Sequence, residues 1–328
     1  MHPTPAELAA GTSSFNYYPR TMVRLAGIIA YEEATRIPEI VRRELPGQRV
    51  VWGPVQEYHD EISDSLMYVV KRDDPAEYTV VIRGTNMDSW YSWQKEDFAV
   101  GTLRKFNELS RRAPASALIS HGTYRGMKLL LEMKDRHSGK TLTQFLRDEN
   151  PRDVYVTGHS LGGTLTPPMV AYLSGELFAG EYGRVAPFSF AGLTPGDAGF
   201  NAYFNTLFNP TFIWRMHNTL DIAPFCWYSK SAVQHIYSPY GLGWGWPESE
   251  VIGDIFAEAA GKGYAHPTGD FTLPGIFDDH IVDDLLWVAQ ALHQHHGSTY
   301  RKLVDRAFPL PQVVEFEGIH QPEDAPAV

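Results

Sequence analysis

Eight residues in the middle of the chain, Val156-Thr157-Gly158-His159-Ser160-Leu161-Gly162-Gly163, constrain its fold more than any other stretch. They close the apolar run Val154-Tyr155-Val156 and open a segment that can coil into a helix. A serine with glycines two residues to either side reads as a sharp turn between a strand and a helix. Such a turn holds the serine in strained backbone geometry, and the glycines remove Cβ atoms that would otherwise clash. The serine oxygen then stands at the edge of the sheet, where the helix N-terminus behind it favours developing negative charge. Ser160 is therefore a candidate nucleophile. The plain alternative is a glycine-rich turn ahead of a helix.

The rest of the pattern fits a sheet built around that turn. Leu66–Arg72, Tyr78–Arg83, 153–157, Val185–Ala191 and Thr211–His217 read as strands. Helical spacing marks 21–45, Ala115–Met133, Thr141–Arg147, the segment after Ser160, and Val282–His293. Strands alternating with helices predict an α/β fold with a mostly parallel central sheet flanked by helices. The 328 residues are expected to form a single domain with its core at about 21–306 and a tail or edge segment at 309–328. One conflict stands out. Pro167 and Pro168 fall inside the helix after Ser160, where a proline costs about 3 kcal/mol.

Composition removes several classes of function. A net charge of −11 argues against nucleic acid as a partner and against strong attraction to anionic membranes. No apolar run reaches the eighteen or so residues of a transmembrane segment. The N-terminus lacks the basic and apolar regions of a signal peptide, so the expected location is cytoplasmic, or secreted without a visible signal. Cys226 is the single cysteine, which excludes an intramolecular disulfide and a paired-cysteine metal or redox site.

A serine hydroxyl needs a histidine to take its proton and a carboxylate to orient that histidine. In sheets with this serine turn the chain order is Ser, then Asp or Glu, then His. Asp221 is the favoured carboxylate, because it follows the strand ending at His217, on the side of the sheet where such sites collect. Its plain reading is a turn before Pro224. Asp197 is the rival, in a Pro-Gly-Asp turn. His280 is the favoured histidine, since it enters the last long helix from a loop; its plain reading is a polar residue at a helix start. His293 ends that helix and reads as a dipole partner. His295 and His296, beyond it, remain alternatives. A metal site from His293, His295 and His296 lacks a helical i, i+4 pair and a fixed carboxylate, so neither metal nor cofactor is expected. Arg83-Gly84-Thr85 closes an earlier strand. Gly84 permits close backbone approach, and the amides of Thr85 and Leu161 are the candidate oxyanion donors.

Taken together these blocks resemble the class 3, fungal-type lipases of the α/β-hydrolase fold. The resemblance runs from Val81-Ile82-Arg83-Gly84-Thr85, with Trp90, Trp93 and Asp97, through 120–127 and 156–163, to 189–200 and "RMHNTLDIAP" at 215–224. It implies Ser160, Asp221 and a histidine ahead of a C-terminal helix, matched by His280, as a triad. His295 with Tyr300 is the other pairing. It also implies a lid at Asn86–Lys95, with Trp90 and Trp93 as candidate lid or substrate residues; their plain reading is fixed packing against the sheet edge. The implied activity is hydrolysis of acylglycerol esters through an acyl-enzyme, with an ester or lipid substrate met at an oil–water interface. Alternatives are an esterase for short-chain or aromatic (feruloyl-type) esters, a phospholipase A1, and a non-catalytic binding protein on the same scaffold.

Overall fold

The computed structural model describes residues 13–59, 63–74, 76–84, 99–181, 184–207, 215–245, 248–266, 269–281 and 286–310. In chain order, helices α1 (Ser13–Gly27) and α2 (Ile37–Glu44) precede strands β1 (Gln48–His59), β2 (Ser63–Arg72) and β3 (Glu77–Ile82). A short pair, β4 (Leu103–Lys105) and β5 (Leu118–Ser120), leads into α3 (His121–Glu132) and α4 (Leu142–Glu149). Then follow β6 (Val154–His159), α5 (Leu161–Leu177), β7 (Val185–Phe190), α6 (Ala198–Leu207) and β8 (Arg215–Asn218). The last part holds α7 (Lys230–His235), α8 (Glu248–Ala259), β9 (Asp270–Leu273), α9 (Leu286–His295) and α10 (Gly297–Ala307).

The main sheet has the order β1-β2-β3-β6-β7-β8-β9. Its first two pairings are antiparallel and every pairing from β3 onward is parallel. This is the mostly parallel, helix-flanked α/β sheet that the alternating pattern predicts. β7 is buried along its whole length and β6 nearly so, as expected of strands covered on both faces. Helix α5 packs against both and is buried on all sides, which explains why it shows no clear polar face. Among the described residues no helix is long and apolar enough to cross a membrane.

The two prolines do not break α5. A proline at 167 takes from Gly163 the donor that its carbonyl would meet in a regular helix. Ser189 on β7 supplies the missing proton, its hydroxyl donating to the Gly163 carbonyl at 2.9 Å. One of the two deficits is thus met from the neighbouring strand.

Several boundaries differ from those the sequence predicts. The helix expected over 21–45 is α1 and α2, separated by a tight turn at Ile29–Tyr31. The helix expected from Ala115 begins at His121, because Leu118–Ser120 pairs with β4 and the Ser120 hydroxyl caps the Thr123 amide at 3.0 Å. The periodic reading missed β1 for a physical reason. Its register against β2 shifts between Trp52 and Val55, where Gly53 has φ +72° beside Pro54, so the alternation is broken. The readings of 211–214 and 282–285 lie outside the described residues.

Candidate active site

The turn at Ser160 is as tight as its glycines imply. Ser160 has φ 60° and ψ −126°, a strained backbone for a residue with a side chain. A Cβ on Gly158 would lie 2.2 Å from the Gly162 carbonyl, one on Gly162 would lie 2.2 Å from the Ile82 oxygen, and one on Gly163 would lie 2.5 Å from the Phe190 oxygen. Strand and helix backbones thus approach one another more closely than any Cβ allows. Leu161 is the first residue of α5, so its amide is one of the helix donors without an intrahelical acceptor. Gly84, at the end of β3, is pressed against the same turn, with a built Cβ only 3.0 Å from that of Ser160.

Two buried groups meet the serine. His295 Nε2 lies 2.8 Å from Ser160 Oγ, and its Nδ1 lies 2.9 and 3.1 Å from the two carboxylate oxygens of Asp221. A carboxylate accepts, so Nδ1 carries the hydrogen in the neutral ring and Nε2 offers its lone pair to the serine hydroxyl. Asp221 follows the C-terminal end of β8 and is fully buried. Its carboxylate also accepts from the Tyr300 hydroxyl at 2.7 Å and from the Ala223 amide at 3.0 Å. The Tyr300 oxygen in turn accepts the Asn218 amide at 3.0 Å. Ser160 and His295 are buried as well, at 2% and 0% exposure.

The end of α9 is fixed by side chains from elsewhere. The last carbonyls of a helix lack intrahelical donors. Here Thr299 donates to the His293 carbonyl at 2.7 Å, Asn218 to that of Gln294 at 2.9 Å, and His159 to that of His295 at 2.9 Å. Gln294 reaches further, donating to the Ile276 carbonyl at 2.7 Å. These bonds carry the helix two residues past the expected His293 end and turn His295 inward.

Burial dominates the electrostatics around this group. It pushes the His159 imidazole well below the usual histidine range, with the His295 ring beside it acting in the same direction. His217 is lowered to about 4 by burial and then by Arg215. His266 is also driven well below its usual range by burial. All three rings are therefore held neutral in the folded protein. The same burial raises the Tyr300 and Tyr31 hydroxyls, so both remain protonated donors.

The structure brings His295 rather than the favoured His280 to Ser160 and Asp221. His280 is 94% exposed, its ring facing the carboxylate of its neighbour Asp279 at 3.7 Å and its amide bonded to Asp278. It lies outside the group because the chain places it on a surface loop, whereas the end of α9 points into the protein. His293 faces Asp278 at 3.8 Å, and His296 caps the start of α10 through the Ser298 amide. Asp197 accepts the Leu118 and Phe200 amides and so anchors a turn and the start of α6. Thr85, Trp90 and Trp93 lie outside the described residues. Among the described residues no three His, Cys, Asp or Glu side chains converge as metal ligands. The sequence reading missed Tyr31, His159, Asn218 and Gln294 as partners of this group. For Asn218 and His159 a signal existed, since they sit in the same blocks as Asp221 and Ser160; Tyr31 and Gln294 lack a local one.

Comparison with known proteins follows the same line. Residues 79–230 match the family model of class 3 lipases, which bears out the resemblance carried by the motifs. Among solved structures, that of M37 lipase aligns with a TM-score of 0.72 and 26% identity, covering 89% of this chain and 92% of its own. Lip2 lipase from Yarrowia lipolytica aligns with a TM-score of 0.55 and 16% identity over 80% of this chain and 79% of its own, a likeness of fold. No curated protein sequence matches the chain.

Proposed function

We propose that this protein is a serine carboxylic ester hydrolase, a lipase that cleaves acylglycerol esters through an acyl-enzyme. The observation that carries the reading is the continuous set of bonds from Ser160 through His295 to Asp221, in a chain with a class 3 lipase segment. His295 takes the Ser160 proton as the oxygen attacks the ester carbonyl. The positive ring that results is stabilised by Asp221, whose charge is held in place by Tyr300 and the Ala223 amide. The oxyanion forms beside the Leu161 amide at the start of α5, with the Thr85 amide as the second donor. His295 then protonates the leaving alcohol, and water repeats the attack. None of these steps calls for a metal or organic cofactor. Trp90 and Trp93 belong, in this reading, to the segment that contacts the lipid.

The test is labelling by a fluorophosphonate probe together with hydrolysis rates on short and long acyl esters, with and without an emulsified interface. Labelling that is lost in Ser160→Ala, with rates rising on emulsified long-chain esters, is the expected result. Absence of labelling would return the chain to a binding role. A preference for soluble short or aromatic esters would make it a plain esterase.

A further inference from the structure

His159 has no step in the proposed reaction, yet it is fully buried beside the reacting group and both of its ring nitrogens are engaged. Nε2 lies 2.9 Å from the His295 carbonyl oxygen, and Nδ1 lies 3.1 Å from the Tyr31 hydroxyl. A carbonyl accepts and never donates, so Nε2 carries the hydrogen. The ring is neutral in this apolar setting, so Nδ1 presents its lone pair and Tyr31 donates to it. The Tyr31 oxygen lies against Gly84, 2.9 Å from where a Cβ of that residue would stand. Two bonds therefore join Tyr31, His159 and the backbone of His295, with the Tyr31 hydroxyl packed on the strand end at Gly84.

We infer that His159 is a positioning residue: it locks the backbone of His295 to the serine turn and, through Tyr31, to the strand end that precedes Thr85. This rests on the reading of Ser160, His295 and Asp221 as the reacting set. The geometry explains why the residue before the serine is suited to the task. His159 and Ser160 are neighbours in the chain, and they grip the two ends of one residue: Ser160 bonds the His295 ring and His159 its carbonyl. Any shift of the turn carries both anchors together, so the distance between nucleophile and base is preserved. The carbonyl that His159 holds belongs to the last residue of α9, where no helix donor is available. Without it, the base would ride on a helix end that has lost one of its anchors. A misplacement of about 1 Å at such a group can lower a rate about 100-fold.

The experiment uses the full chain with a soluble short-chain ester, assayed well below the melting temperature of each variant. His159→Leu removes both bonds, Tyr31→Phe removes one link and keeps its ring, and His159→Gln returns an amide donor close to the position of Nε2. Expected are a fall in kcat of about 100-fold for His159→Leu and about 10-fold for Tyr31→Phe, with KM nearly unchanged, and recovery of most of the loss in His159→Gln. Long-range proton–nitrogen spectra should show a neutral Nε2–H imidazole that does not titrate between about pH 8 and 5, absent from His159→Gln. The inference is overturned if folded His159→Leu and Tyr31→Phe both keep kcat within about twofold, if His159→Gln is no better than His159→Leu, or if that imidazole titrates. Should His159→Leu fail to fold, Tyr31→Phe and His159→Gln decide. Ser160→Ala run alongside separates the two levels. An active Ser160→Ala overturns the reading of the reaction, whereas an inactive one beside fully active His159 and Tyr31 variants overturns the positioning role alone.

Discussion

The proposed site is assembled from two regions that are specified in different ways. On one side stands the serine turn, β6 into α5, where geometry follows from which residues lack a Cβ. On the other stands the histidine arm, the end of α9 and the start of α10, where geometry follows from polar bonds to residues far away in the chain. At the turn, added atoms at Gly158, Gly162 and Gly163 would fall 2.2 to 2.5 Å from backbone. At the arm, Asn218 and His159 close the helix end by hydrogen bonds that no local pattern announces, and Thr299 adds one from six residues on. Steric specification is written in neighbouring letters; polar specification is written across 76 positions for Asn218 and Gln294, and across 136 for His159 and His295.

The largest expected effect tests whether both regions serve one reaction. Ser160→Ala and His295→Ala should each lower kcat by about 10⁶, and the double variant should be no worse than either, because such groups act as a unit. His280→Ala, on the exposed loop, should leave kcat within about twofold. If His280→Ala were the inactive variant and His295→Ala the mild one, the arm would be a structural element and the comparison would collapse.

Gly162→Ala addresses the steric side. Its Cβ would overlap the Ile82 carbonyl, which belongs to β3 in the middle of the sheet and has no room to retreat. We expect a loss of about 3 kcal/mol or more in unfolding free energy, or failure to fold, measured by denaturant titration. A variant of near wild-type stability would mean that the turn is held by something other than close backbone approach.

That contrast also accounts for what could be read in advance. The mostly parallel sheet and the strand-to-helix turn at Ser160 were legible because alternating strands and helices and glycine spacing are local signals, and a carboxylate after a strand is the local signal that singled out Asp221. The histidine was not. His280 and His295 both flank the same helix, and the choice depends on which end turns inward. That is decided by Asn218 reaching Gln294 and by His159 reaching His295. Tyr300 was visible as a partner of His295, five residues on, although its bond to Asp221 was not. β1 escaped notice because Gly53 and Pro54 interrupt its alternation at a register shift.

Acid should weaken the polar side more than the steric side. His159, His217 and His266 are neutral when buried, with pKa values lowered by folding. The unfolded chain therefore binds more protons below the ordinary histidine value of 6.5, and stability falls as pH drops from there toward the value of about 4 held by His217. Melting temperature should decline steadily across that window, and His217→Gln should flatten part of the slope. A melting temperature unchanged between pH 7 and about 4.5 would show that these rings are not neutral in the fold.

The smallest effect falls where the two modes of specification meet. Helix α5 begins with the steric turn, yet Pro167 takes from the Gly163 carbonyl its helical partner, and Ser189 replaces it with a hydroxyl. Ser189→Ala leaves that carbonyl buried against β7 without its donor. The expected cost is about 1 to 2 kcal/mol, read as a lower denaturation midpoint with an unchanged denaturant slope. kcat should stay within about twofold, because Ser160 is fixed by the glycines on either side and not by the helix bonds behind it. Pro167→Ala in the same background restores a backbone donor to Gly163 and should recover the lost stability. A non-additive gain of that kind is what two residues serving one carbonyl must show. Additive effects of the two substitutions would mean that Ser189 stabilises β7 for reasons of its own, and that α5 tolerates its prolines through packing alone.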